Sequence, residues 1–236
     1  MSTQRQAIIV FARMSSSRLP GKVLMDFAGR SLLAHIIARA QLLGLPIIVA
    51  TSTEPEDAAV AEAAEQCGAT AFRGSLGNVL QRAVDCAHAH GLDAFARLCA
   101  DRPYFPLEPM TDGLRQMQSA LQAEVALDLV TNHVSENPPA GLSTEIVRVT
   151  ALERVLSVKS SERHREHLTS GIYDNAKAFV ISSIPQDFTS THGCRFAVDT
   201  CVDYQRLVAV ARRLPDVGAS AEQVASLLNA DGVKSA

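Results

Sequence analysis

The run AIIVFARMSSSRLPGKVL, residues 7–24, decides how the rest of the chain is read. It opens with five apolar residues, three of them β-branched, which is the composition of a short buried strand. It then turns polar, with three consecutive serines among Arg13, Arg18 and Lys22. A buried strand ending in a loop of small basic-flanked residues suits an open α/β sheet, whose ligands bind beyond the carboxyl ends of the strands. The serines allow close approach and offer hydroxyl and backbone N–H groups. Two guanidiniums and an ammonium supply the charge a triphosphate needs. A solvated basic loop has the same composition, so charge alone does not decide between them. Two familiar nucleotide loops are excluded. Lys22 is followed by Val23, so this is not GxxxxGK[ST], and no GxGxxG occurs here.

Working outward, residues 46–51 and 94–98 are further buried strands, 70–72 a shorter one and 127–131 a fifth. Helical spacing occupies 29–43, 56–67, 78–90 and 109–122, with Gly68 and Gly91 as stops after the second and third. Strand–helix alternation with short connections predicts parallel βαβ units, right-handed crossovers and helices on both faces of the sheet. After residue 131 the rhythm changes. A loop at 132–141 carries two prolines and a glycine. Strands at 144–149, 179–184 and 195–198 and helices at 151–158, 165–173, 202–214 and 220–228 follow. The expectation is one α/β domain, 1–236, with a small inserted α+β subregion at 132–185.

Composition narrows the function. The chain of 236 residues is 47% apolar and 20% charged, an ordinary globular balance that can bury a core without staples. Its formal charge of −3, with dispersed basic residues, argues against nucleic acid as a partner. The five cysteines are odd in number and lack CxxC spacing, which reads as reduced thiols. No stretch is apolar enough to span a bilayer, and the polar residues 1–6 do not read as a signal peptide. No membrane partner and a cytoplasmic location are therefore expected.

The run RMSSSRLPGKVL, residues 13–24, resembles the RMxSxRLPGKxL signature of the cytidylyltransferase family. More narrowly it is similar to the spore-coat polysaccharide biosynthesis protein F branch, related to CMP-Kdo and acylneuraminate synthetases. Shorter matches follow in order: VATSTEPED (49–57), FRGS (72–75), VLQR (79–82), RLCADRP (97–103), GLSTEIV (141–147), REHLTSGIYDN (165–175) and VDT (198–200). The resemblance covers most of the chain. It implies a Rossmann-like, mostly parallel sheet of the nucleotide-diphospho-sugar transferase type. It also implies transfer of CMP from CTP to a sugar-like acceptor with loss of pyrophosphate, Mg²⁺ as cofactor, and a homodimer.

The resemblance also places the site. Ala12, Arg13, Met14, Ser15, Arg18 and Lys22 would hold the nucleotide, with Thr51, Arg73 and Asn78 beside them. Lys22, Arg18 and Asp101 are the catalytic candidates. Asp101, in a (G/A)DxP motif after a strand, and Asp199, in VDT before a helix, would bind Mg²⁺, which needs only one or two carboxylates. Read without the family, Asp101 is also an ordinary loop aspartate before Pro103 and Asp199 an ordinary helix cap. Arg97, Glu145, Arg165 and His167 are candidates for the acceptor. An ion pair would equally explain Arg97, a solvent-facing strand position Glu145, and a structural histidine His167. Three positions depart from the branch: Phe11 where glutamine is usual, Asn78 where an acid is frequent, and Ser143 where aspartate is usual.

Two other functions compete at this point. A nucleotide-sugar-dependent glycosyltransferase would need a DxD metal motif after a strand, and Asp101-Arg102-Pro103 is a poor substitute. A non-catalytic nucleotide-binding subunit of polysaccharide assembly would have no need of both Asp101 and Lys22.

Overall fold

The computed structural model describes residues 5–133, 137–158 and 161–230. Seven strands form one sheet: β1 (Gln6–Phe11), β2 (Ile47–Ser52), β3 (Thr70–Gly74), β4 (Ala94–Cys99), β5 (Leu129–Thr131), β6 (Glu145–Arg148) and β7 (Ile181–Ser183). Their spatial order is β3-β2-β1-β4-β6-β5-β7. Strand β1 pairs in parallel with β2 and β4, and β2 in parallel with β3. Only β6 runs the other way, antiparallel to β4 and β5, while β5 and β7 are parallel. The expected mostly parallel sheet is what the chain forms.

Period-two alternation sorts each central strand between two cores. Ile8 and Val10 of β1 and Ile47 and Val49 of β2 face one core, with α1 (Leu32–Gln41), α2 (Ala58–Gln66), α4 (Leu107–Gln122), α8 (Cys201–Arg213) and α9 (Ala221–Ala230). Ala7, Ile9, Ile48 and Ala50 face the other, with α3 (Val79–Ala89), α5 (Val149–Ser157) and α7 (Ser170–Asp174). Each fully buried Ile or Leu contributes roughly 1.5–3 kcal/mol to this three-layer packing. The helix starts are capped: Ser31 accepts from the backbone of Ala34, Asn78 from Gln81, and Thr200 forms a capping box with Asp203.

Three local expectations change. Helix α4 begins at Leu107, before Pro109, whose missing N–H falls among the unpaired donors of the first turn. The helix expected over 165–173 is two, α6 (Glu162–Glu166) and α7. The break is at His167, whose extended backbone turns Leu168 and Thr169 into the protein. Residues 195–198 are not a sheet strand. Phe196 and Val198 alternate as a strand would, but they are held by single backbone bonds, Phe196 N to Ala140 O at 2.7 Å and Val198 N to Asp101 O at 2.8 Å. The loop at 132–141 lies partly outside the described residues. Residues 132–185 supply β6 and β7 to the main sheet, with β6 wedged between β4 and β5.

Candidate active site

The loop after β1 is shaped by its own backbone. The carbonyl of Met14 accepts from Ser16 N at 2.8 Å and Gly21 N at 2.9 Å, curling the segment on itself. Gly21 closes the curl at φ 70°, a conformation that favours glycine. Met14 N donates to Asp57 Oδ1 at 2.6 Å, and Asp57 Oδ2 accepts from the amide and hydroxyl of Ser52. One buried aspartate thus ties the loop to the end of β2.

The loop overhangs a cleft of about 490 Å³ at the carboxyl ends of β1 and β4. Ala12, Arg13, Arg18 and Lys22 line it, as do Ser16 and Ser17. Across from them stand Arg97, Asp101, Arg102, Glu166, His167 and Asp199. Gly141 is the close-approach point of the rim. At φ 100°, a Cβ there would fall 2.4 Å from the carbonyl carbon of Phe196.

Lys22 is the electrostatic centre. It is 8% exposed, and its Nζ lies 2.9 Å from Asp101 Oδ2, 2.6 Å from Val198 O and 3.9 Å from Asp199 Oδ1. Arg18 donates to Asp199 Oδ1 at 2.7 Å and Arg195 to Asp199 Oδ2 at 2.8 Å. Two carboxylates, 79 residues and more along the chain from Lys22, thus converge on one ammonium. Arg13 approaches Glu166 at 3.9 Å across the cleft mouth.

The floor beneath the cleft is a locked ion pair. Arg97 Nη1 donates to Glu145 Oε2, while Glu145 Oε1 accepts from Thr169 Oγ1 at 2.7 Å and Tyr173 Oη at 2.9 Å. Burial alone would raise the Glu145 pKa. The Arg97 charge and the donated hydrogen bonds overcome it and hold the carboxyl below the usual carboxylate range. Tyr173 is pushed up by burial and then by the neighbouring Glu145, so it stays a phenol that donates.

The basic loop after β1 and a carboxylate pair from far along the chain, Asp101 and Asp199, therefore share one cleft. The cytidylyltransferase family model matches residues 7–228. The chain belongs to the cytidylyltransferase family.

This cytidylyltransferase is 28% identical over 233 residues to the spore coat polysaccharide biosynthesis protein SpsF of Bacillus subtilis, covering 94% of this chain and 92% of that protein. It is 37% identical over 143 residues to the 3-deoxy-manno-octulosonate cytidylyltransferase of Hahella chejuensis, covering 60% of this chain and 50% of that one. A cytidylyltransferase structure from Leptospira borgpetersenii shares the fold at a TM-score of 0.86 and 24% identity, over 97% of this chain and 95% of that one. The enzyme is a nucleotidyltransferase, and none of its helices among the described residues is long and apolar enough to cross a membrane.

Several sequence candidates have other work. Met14 shapes the loop through its backbone, and neither it nor Ser15 lines the cleft. Thr51 is wholly buried within β2. Arg73 donates to the carbonyls of Ser52 at 3.0 Å and Glu54 at 2.8 Å, bracing the turn after β2. Asn78 caps α3. Glu145 acts behind the wall through Arg97, and Arg165 is exposed on α6 outside the cleft. Conversely, Arg82 and Arg102 line the cleft and Asp57 anchors its loop. All three fall within the matched runs VLQR, RLCADRP and VATSTEPED, where sequence marks them without saying which way they face.

Among the described residues no group of three or more His, Cys, Asp or Glu side chains could hold a metal. The available donor set is the pair Asp101 and Asp199, both within 4 Å of Lys22 Nζ. Two carboxylates fit Mg²⁺, which keeps waters and takes phosphate oxygens, and would not suffice for a structural zinc.

Proposed function

We propose that this enzyme transfers CMP from CTP to a hydroxyl of a sugar-like acceptor, releasing pyrophosphate, as a step toward cell-surface polysaccharide. The observation that carries the reading is the convergence of Lys22, Arg18, Asp101 and Asp199 beneath a loop of serines and arginines. That cluster has the charges a triphosphate and its metal require. The names of the relatives point to cytidine and to polysaccharide.

Arg13, Arg18 and Lys22 hold the triphosphate and neutralise the charge that gathers on the departing pyrophosphate. The acceptor oxygen forms the new bond to the α-phosphorus as the bond from that phosphorus to the bridging oxygen breaks. Pyrophosphate carries away the electron pair, and the hydroxyl proton leaves to solvent water. Asp101 and Asp199 would hold Mg²⁺, which when bound draws charge from the phosphate oxygens. The two aspartates also fix Lys22, so the same residues orient the cation that meets the phosphates. Arg97 and His167, on the wall built by β4 and by residues 132–185, face the acceptor. Arg97 keeps its position because Glu145 holds it from behind. Catalysis here is mostly placement and fixed charge.

A pyrophosphate-release screen of four nucleoside triphosphates against acidic sugars, neutral sugars and phosphonates tests this. Release with CTP and one acceptor class is expected. Binding of CTP with no turnover across the panel, or a clear preference for a purine triphosphate, would overturn it.

A further inference from the structure

Two arginines are almost wholly inside the protein, Arg39 at 1% exposure and Arg82 at 2%. Arg39 is fully engaged. Its Nε donates to Phe105 O at 2.9 Å, and its Nη1 to the carbonyls of Val217 and Ala219. Arg82 is not. Its Nη1 donates to Ser75 O, but its Nε is shut off from solvent with no hydrogen-bond partner. No carboxylate among the described residues pairs with it.

The surroundings add to the cost. Arg82 stands in the first turn of α3, where the helix start is itself positive and a cation is misplaced. Burial, and next the charge of Arg13, press its pKa down to about 10. Asp57 relieves this in part from a distance, but its oxygens are taken by Met14 and Ser52. Arg82 also packs its Cζ 6.0 Å from the centre of the Phe11 ring, which donates no charge. A buried guanidinium with a cation for a neighbour and no counter-charge calls for an anion.

The cleft is where that anion would come from. Arg82, Val79, Phe11 and Arg13 all line it. Resting on the nucleotide reading above, we propose that Arg82 binds a phosphate oxygen of the nucleotide, sharing it with Arg13. The start of α3 is thereby a second phosphate-binding wall, on the other face of the sheet from Lys22. Its donors are the Nη N–H groups of the guanidinium left over from Ser75.

A purely structural role is the competing explanation. The Arg82 side chain packs on Gly74, where a Cβ would come within 2.9 Å of Arg82 Cγ, and it straps Ser75. Two variants separate the roles. Arg82→Met keeps length and packing and removes the charge. Arg82→Lys keeps the charge and loses the fork. Each is titrated calorimetrically with CTP, CMP and inorganic pyrophosphate, and its melting temperature is measured without ligand.

The expected result is that Arg82→Met melts no lower than the parent within a few degrees, and binds CTP about tenfold or more weakly. Arg82→Lys should bind about three- to tenfold more weakly than the parent. A loss for CTP and pyrophosphate but not CMP puts the contact on the departing phosphates, and a loss for CMP as well puts it on the α-phosphate. Unchanged binding of all three ligands by Arg82→Met overturns the proposal. If that variant does not fold, unchanged binding by Arg82→Lys does so. A parent that binds pyrophosphate through Arg82 but shows no preference for CTP would sink the cytidylyl reading and leave this contact standing. A parent that binds none of the three sinks both.

Discussion

The two walls of the cleft are built on opposite plans. The loop of residues 12–22 offers cations that can exchange partners. Arg18 has a side chain 63% exposed, and Lys22 touches two aspartates and a carbonyl at once. The wall across from it offers Arg97, held by Glu145, which is in turn held by Thr169 and Tyr173. On the proposed function the first wall would meet a triphosphate whose charge moves during reaction, so shared and adaptable partners suit it. The second presents one fixed guanidinium, which suits a group that must be positioned and not changed. Adaptable charge and rigid charge thus stand on either side of one cleft.

The largest effect should come from the rigid wall. Glu145→Gln keeps the shape but leaves Arg97, whose side chain is 17% exposed, without its counter-charge, and removing one partner of a largely buried pair costs roughly 3–5 kcal/mol. Urea unfolding at neutral pH measures it. The sign with pH follows from the depressed carboxyl. Its contribution is complete above the ordinary carboxylate value near about 4.3 and is lost as pH falls toward about 2. The variant should lack that acid limb. A Glu145→Gln protein as stable as the parent at every pH would mean this wall is not locked.

Lys22→Ala comes next. Loss of one charge from the developing pyrophosphate lowers turnover by roughly 10²–10³. Stability should change much less, since Asp101 is partly exposed and Asp199 keeps Arg18 and Arg195. Near-normal turnover in a pyrophosphate-release assay would remove the adaptable wall from the chemistry.

His35 supports the loop that carries Asp101, with its Nε2 3.2 Å from Pro103 O. Burial lowers its pKa to about 4, so the folded protein keeps it neutral. The unfolded chain takes up a proton below about 6.5, and stability falls as pH drops from there to about 4, by up to about 3 kcal/mol. His35→Gln should flatten that slope in thermal melts across the same range. An identical slope would show that other groups set it.

The smallest effect is expected at Arg165, exposed outside both walls. Arg165→Ala should leave the CTP Kd within about threefold, well short of the tenfold worth about 1.4 kcal/mol. His167→Ala, inside the cleft, should instead raise the acceptor KM. If calorimetry showed that Arg165→Ala abolishes CTP binding with the fold intact, the boundary drawn between cleft and surface would be misplaced.

Sequence by itself determined the alternation of strands and helices through residue 131, and only its family resemblance singled out the loop of residues 12–22, Asp101 and Asp199 as site candidates. The signals for the alternation are local. A β-branched run buries on both faces and a glycine ends a helix, whereas the composition of a basic loop is the same whether it meets a ligand or solvent. It could not tell that residues 195–198 cross the cleft rim outside the sheet, because Phe196 and Val198 bury alternately in either setting. Nor could it break the helix at His167, since the hydrogen bond that holds Thr169 inside the protein goes to Glu145 of β6, far away along the chain. Tertiary structure decided which cations face the cleft. Arg73 and Arg82 lie nine residues apart in matched runs, yet one braces backbone carbonyls at the surface and the other is buried at the cleft. The direction of a long side chain depends on the packing of its helix or strand against the rest of the molecule, and that packing is written in residues far away along the chain.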